Sequence, residues 1–315
     1  MMDPYPIAED AEYITAIILC FTVILPINRS FGPLDTFFCE TDYLCGRFYP
    51  TAFRSHHPWP VDISKNDKGR LSPTLVSRPQ KVLDIRTGTG RWAIEFADRN
   101  PWSVVSGIDL VHMQDEWVPP NCEFILDDIT QQDWCTHFSQ VDLVHVGGLG
   151  GNPRLLASVL DGAYRCCSPN GVLEIWDSTV QLQDPTGSSD FHIFHREMEN
   201  AYREDCRSLS LPLCYKKEME RRGFVRVVEY VYDLRLYLND SESPARKVIA
   251  AWAEGFEAYS LDLMVKNLGK RSEEVLVGCA AARQALRKGV AGSLQIRVVS
   301  GQKSAVAHSV TDIGI

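Results

Sequence analysis

The sequence predicts an α/β fold: a mostly parallel sheet with helices on both faces. Three observations predict it. Residues 82–85, Val-Leu-Asp-Ile, form an apolar strand that runs straight into a turn holding Gly88 and Gly90. A helical stretch over 91–97 follows, with Trp92, Ala93, Phe96 and Ala97 spaced to share one face. Further on, short β-rich segments alternate with helical ones, the pattern of a parallel sheet.

Each element has its own reason. Val82, Leu83 and Ile85 are β-formers that suit a buried parallel strand. Gly88 and Gly90 allow backbone angles and a close ligand approach that a side chain would block. A second strand over 104–108 ends at Asp109, nineteen residues past Gly90. An acidic group at about that interval is placed for ribose hydroxyls. A third strand, 123–126, ends at Asp127 and Asp128, where a carboxylate can accept from an adenine amino group. Residues 141–146 read as a fourth strand, and Ser168-Pro169-Asn170-Gly171 as a turn into a fifth, 172–176. Residues 190–206 and 215–222 read as helices, the second stopped by Gly223. A strand is expected over 224–232, helices over 244–264 and 272–288, and a last strand over 294–299. The tail from 301 is small and polar and is expected to fray.

Residues 79–97 and Gly107-Ile108-Asp109-Leu110 resemble the fungal LaeA-like methyltransferases. So do Gln114, the run Trp117-Val118-Pro119-Pro120-Asn121-Cys122-Glu123-Phe124, Asp127-Asp128 followed by Trp134, and Asp142-Leu143-Val144-His145. The Trp-Val-Pro-Pro-Asn-Cys run is more distinctive than the glycine turn. The resemblance implies a class I, Rossmann-like methyltransferase: a seven-stranded sheet with its final strand antiparallel, plus helical insertions on the substrate side. It implies three parts: a divergent N-terminal segment, 1–78, a methyltransferase domain, 79–300, and a flexible tail, 301–315. It implies S-adenosylmethionine (SAM) as cofactor, held by Asp84, Arg86, Gly88, Gly90, Asp109, Leu110, Asp127 and Asp128. NAD is the rival nucleotide in such a layout. The Asp-x-x-x-Gly-x-Gly spacing fits Gly-x-Gly-x-x-Gly poorly, and the Asp84 carboxylate suits a cationic ammonium better than a pyrophosphate.

Two departures from the family pattern bear on activity. Arg86 stands where the first glycine of the turn belongs. Its stem can swing aside, its guanidinium can pair with the SAM carboxylate, or it can fill the pocket. Upstream, Gly46-Arg47-Phe48-Tyr49 resembles the family's opening, but the helix expected next is replaced by a proline-rich stretch around His56-His57-Pro58-Trp59-Pro60. Two functional readings follow. One is a SAM-dependent methyltransferase acting on a small molecule of fungal secondary metabolism. The other is a methyltransferase-like protein without transfer activity, serving as a regulatory partner or a non-methylating catalyst.

Composition narrows the classes. With 315 residues and 45% hydrophobic content, the chain can bury a substantial core. A net charge of −9 argues against a general nucleic-acid binder. Ten scattered cysteines without a Cys-x-x-Cys pair suggest reduced thiols and an intracellular protein, cytoplasmic or nuclear, with no metal site. The apolar run 14–25 is shorter than the ~20 residues of a spanning helix and has acidic flanks, so membrane association is not expected.

Candidate chemistry is sparse. Transfer from a sulfonium needs alignment, plus a base only when the acceptor must lose a proton. His145, near the end of the fourth strand, is the candidate catalytic residue, against the alternative of a packed core histidine. His192 and His195, one helical turn apart, are expected on a solvated face, with a substrate pocket as the alternative. Asp177 follows the fifth strand and could orient substrate or merely end the strand. Asp142 and Glu174 read as structural. The run Gly147-Gly148-Leu149-Gly150-Gly151 stands where family members carry larger side chains, including an arginine, and suggests a flexible or enlarged pocket.

Overall fold

A computed structural model describes residues 41–44, 47–50, 78–115, 117–131, 134–238 and 244–305. The apolar run 14–25 and the proline-rich stretch at 56–60 lie outside the described residues. The first two strands, β1 (Thr41–Leu44) and β2 (Arg47–Pro50), pair antiparallel as a separate ribbon.

The main sheet holds β3 (Lys81–Ile85), β4 (Val104–Asp109), β5 (Cys122–Leu126), β6 (Val141–Gly147), β7 (Cys167–Leu182), β8 (Phe224–Arg235) and β9 (Gly292–Lys303). Their order across the sheet is β5-β4-β3-β6-β7-β9-β8. The pairs from β5 to β7 are parallel, and β9 runs antiparallel to both its neighbours. The chain order reverses at β3, between β4 and β6. In an open α/β sheet that switch point opens a crevice at the carboxyl ends of the strands.

Seven helices are seen among the described residues: α1 (Arg91–Arg99), α2 (Pro153–Cys166), α3 (Asp190–Glu204), α4 (Tyr215–Arg221), α5 (Pro244–Glu254), α6 (Phe256–Leu268) and α7 (Ser272–Lys288). Alternation along the strands splits the sheet into two buried faces. Leu83, Ile85, Val144, Val146, Leu173 and Ile175 pack with residues of α2 and α4 on one face. Val82, Val105, Leu143 and Val172 pack with Trp92 and Phe96 of α1 on the other. Trp176, Ile296 and Val298 continue that second face under α3, α5, α6 and α7. The four apolar positions expected on α1 are the four it buries.

The elements differ from expectation in three places. The helix expected over 244–264 is two helices, α5 and α6, parted at Gly255. The Tyr259 ring lies so close to Gly255 that a Cβ there would meet it at 2.4 Å. The turn at 168–171 sits inside β7 as a bulge, with Asn170 at φ 64, between the pairs Val141↔Cys167 and Leu143↔Val172. Residues 301–303 do not fray. They are the end of β9, with Gly301 beside Leu173 and Lys303 beside Phe224.

Candidate active site

The end of β3 carries three left-handed residues within five positions: Arg86 at φ 59, Gly88 at φ 55 and Gly90 at φ 74. Asp84 precedes them, buried, and accepts a 2.6 Å hydrogen bond from the Thr87 hydroxyl. Burial pushes its carboxyl up to about 6, against the opposing pull of His145 and Thr87. Gly88 donates its N–H to Asp109 Oδ2 at 2.8 Å, while Leu110 donates to Asp109 Oδ1 at 2.8 Å. One carboxylate thus joins the turns after β3 and β4. Gln114 holds the other side of the Gly88 peptide, its Nε2 donating to Gly88 O at 2.5 Å, and its buried Oε1 has no partner among the described residues. The two glycines serve different ends. A Cβ on Gly88 would meet nothing within 4 Å among the described residues. A Cβ on Gly90 would strike the Phe124 ring at 2.2 Å, so its bareness lets α1 pack against β5.

A narrow, open-mouthed cleft lies at the ends of β3, β4 and β5, with Arg86, Asp109, Leu110, Asp127, Asp128, Ile129 and Leu155 among its walls. This is the crevice at the switch point. It brings together six of the eight expected cofactor residues: Arg86, Asp109, Leu110, Asp127 and Asp128 in the wall, and Gly88 bonded to Asp109. Asp84 lies beneath the turn, and Gly90 starts the helix behind it. The Asp128 carboxylate also organises its own loop, accepting from Thr130 N at 2.9 Å and Thr130 Oγ1 at 2.7 Å.

Arg86 does not point out to solvent. Its guanidinium donates to the carbonyl of Gly148, at the end of β6. Burial pulls it below its ordinary basicity, with Asp109 the largest opposing charge and Asp177 a further one. The glycine run it touches is pinned. Arg207 donates to Gly150 O at 3.3 Å, Ser208 N to Gly151 O at 2.8 Å, and Leu149 donates to Asp177 Oδ2 at 3.0 Å. The run expected to give a flexible or enlarged pocket is thus tied by hydrogen bonds at Leu149, Gly150 and Gly151, with open space at Gly147 among the described residues. Asp177 also accepts from Tyr215 OH at 2.6 Å and Ser178 N at 2.8 Å.

His145 is 1% exposed and stacks on Trp92 with ring centres 3.9 Å apart. Strand register sets it between Asp84 on β3 and Glu174 on β7. Its Nδ1 lies 3.3 Å from Glu174 Oε1, which also accepts from Trp176 Nε1 at 2.7 Å. That is the setting of a hydrogen-bonded core histidine. Asp142 is a tether, accepting from the backbone N–H of Gln80 and Lys81 and from Ser168. His192 and His195 depart from expectation: both are buried, not solvated. Their helix α3 lies beneath α6 and α7, which the spacing within α3 could not reveal. Sequence reasoning missed Tyr215 and Arg207. Neither belongs to a motif, and Tyr215 stands 38 positions from Asp177.

The cleft's chemistry accords with a nucleoside-bearing cofactor such as SAM: the carboxylates of Asp109, Asp127 and Asp128 stand beside the apolar side chains of Leu110 and Ile129. Residues 64–228, just over half of the chain, match the model of a methyltransferase domain family. The chain is 25% identical to methyltransferase pytC of Aspergillus terreus over 83% of its length and 88% of the relative's. It is 27% identical to probable methyltransferase tdiE of Emericella nidulans over 78% of its length and 80% of the relative's. It is 30% identical to the protein-methionine methyltransferase laeA of Emericella nidulans over 38% of each chain. Among solved structures it resembles a putative sarcosine dimethylglycine methyltransferase from Galdieria sulphuraria, at 13% identity and a TM-score of 0.44, over 72% of this chain and 80% of that one. With a sheet order that reverses at β3, one antiparallel strand and a family match over half its length, the chain belongs to the SAM-dependent methyltransferases, among their LaeA-like fungal members.

Proposed function

We propose that this methyltransferase modifies a small molecule of fungal secondary metabolism, and that Asp84, Arg86, Gly88, Gly90, Asp109, Leu110, Asp127 and Asp128 form its cofactor site. The cleft at the ends of β3, β4 and β5 carries the reading. SAM bound there supplies a methyl group on a good leaving group. Asp109 offers its carboxylate to ribose hydroxyls, Leu110 and Ile129 offer apolar walls to a base, and Asp84 places negative charge below the turn. The metabolic setting is supported by relatives: laeA of Aspergillus niger is described as a secondary metabolism regulator, and pytC as a methyltransferase. An intracellular location accords with this reading, and no helix among the described residues is long and apolar enough to cross a membrane.

One observation favours the second reading, a binding fold without transfer. Arg86 holds a left-handed conformation, with its head fastened to Gly148 across the end of the sheet. Calorimetric titration of the native protein and Arg86→Gly with SAM separates the two. The expected result is micromolar binding by the native chain. Binding by the glycine variant alone would make Arg86 a block and favour the second reading. Binding by neither would sink the cofactor assignment.

A further inference from the structure

We propose that the open floor at Gly147 and Gly148 is the acceptor subsite, and that Asp177 takes the proton from a hydroxyl acceptor held there, making the chain an O-methyltransferase. This rests on the cofactor reading above and adds to it the acceptor class and the base.

The place follows from the sheet. Gly147 and Gly148 lie at the carboxyl end of β6, one strand along from the cofactor cleft, and Arg86 spans the two by lining the cleft and reaching Gly148 O. Among the described residues, no side chain crowds the space above the glycines. A Cβ on Gly147 would meet nothing within 4 Å, and one on Gly148 would first meet Asp177 Oδ1 and Trp176 O, each at 4.0 Å. A carboxylate oxygen therefore borders this floor.

That carboxylate is held in one orientation. Its Oδ2 accepts from Leu149 N and Tyr215 OH, while Oδ1 accepts from Ser178 N and faces the floor. Burial raises the Asp177 carboxyl above its ordinary value, which makes it a stronger base than an exposed aspartate. Burial and the neighbouring Asp177 push the Tyr215 phenol far up, so Tyr215 stays protonated and serves as a positioning donor. The other charges near the group are accounted for. Arg86 is fastened to Gly148 O. Arg207 pairs with Asp205. Arg297, the cross-strand neighbour of Asp177 on β9, is bonded to Glu229 and Thr179.

This arrangement selects the acceptor. A carboxylate substrate would face the Asp177 charge, and a neutral amine attacks without prior proton loss. A hydroxyl gains most from a base at the moment of transfer. The acceptor oxygen forms its bond to the methyl carbon as its proton passes to Asp177 Oδ1. The methyl–sulfur bond of SAM breaks, its electron pair stays on sulfur, and a neutral thioether, an ether and a neutral Asp177 result.

The test uses S-adenosylhomocysteine and 4-nitrophenol, a phenol whose ionisation is read from visible absorbance, with the native chain, Asp177→Asn and Tyr215→Phe. All three proteins are expected to bind S-adenosylhomocysteine within about twofold of one another, which also shows that the variants fold. The phenol is expected to bind the saturated native complex. Its ionisation on Asp177→Asn should move down by about one pH unit relative to native, because a neighbouring negative charge is gone. On Tyr215→Phe it should move up, because Asp177 loses a donor. A purely structural pair would not give opposite signs. Titration at the same pH on native and Asp177→Asn, or failure of the phenol to bind the saturated complex, overturns the proposal. Failure of S-adenosylhomocysteine to bind instead overturns the cofactor reading.

Discussion

At the scale of single residues, Arg86 shows how opposing small terms decide an outcome. A non-glycine residue in the left-handed region costs about 1–2 kcal/mol. Replacing it with glycine removes that strain but loosens the unfolded chain by roughly 0.5–1 kcal/mol and takes a donor from Gly148 O. Arg86→Gly is therefore expected to unfold in urea within about 1 kcal/mol of native, so any change in SAM affinity reports the site and not the fold. Asp84 allows a second prediction, with its sign set by burial. Its folded value, about 6, lies above the ordinary 3.8. The stability linked to its proton is complete below about 3.8 and lost as pH rises through about 6. The ionised form is thus held at a cost on the order of 3 kcal/mol at neutral pH. Asp84→Asn should raise the melting temperature more at pH 8 than at pH 5 and weaken SAM binding at both. An equal rise at the two pH values would contradict this. The left-handed turn after β3 was legible in the sequence because its backbone angles select glycine at positions 88 and 90. The destination of the Arg86 side chain was not, since it depends on a carbonyl 62 positions away. Tyr215 was hidden for the same reason.

Elements show what packing adds to local pattern. Helix α1 could be read from the sequence down to its buried positions, but its seat on β5 depends on one missing atom at Gly90. Gly90→Ala combines a left-handed strain with a contact of 2.2 Å on Phe124. It should destabilise by about 2–4 kcal/mol in denaturant melts. In the Phe124→Ala background the same change should cost less than half as much, since only the backbone strain remains; equal costs would rule out the ring as the cause. Helix α3 is the contrary case. Its polar residues suggested a solvated face, and the later helices cover it. Burial, then the charges of His192 and Arg196, press His195 down from 6.5 to about 4. A depressed histidine contributes stability that is complete above about 6.5 and lost as pH falls through about 4. Between those values native protein should lose on the order of 3 kcal/mol more than His195→Gln. Urea melts at pH 7 and pH 4.5 test it, and parallel losses would place the acid sensitivity elsewhere.

On the scale of the whole molecule, the cleft draws its walls from the ends of three strands and the start of α2. A ligand there binds a surface that exists only when the sheet is assembled, so binding and folding are linked. At a hundredfold excess over its dissociation constant, S-adenosylhomocysteine should add about 2.7 kcal/mol. For a chain of this size that is a rise in melting temperature of roughly 4 °C. Scanning fluorimetry checks it, and a flat response would mean that the ligand does not prefer the folded state. The parallel half of the sheet was plain in the sequence because each strand runs into a turn with its own acid or glycine. The substrate half was less so: long helices and two long antiparallel strands carry no comparable punctuation.

The position of β9 has a consequence for how the protein is made. It is the last strand among the described residues, yet it lies between β7 and β8, pairing with β7 from Val172 to Leu182 and with β8 along nearly all its length. As the chain leaves the ribosome, β7 and β8 emerge first and cannot join each other in the native order. Each must wait with a bare edge until residues 292–303 arrive. The nascent protein therefore passes through a stage at which its nucleotide half can be complete while its substrate half is open. The final dozen paired residues act as the keystone that unites them.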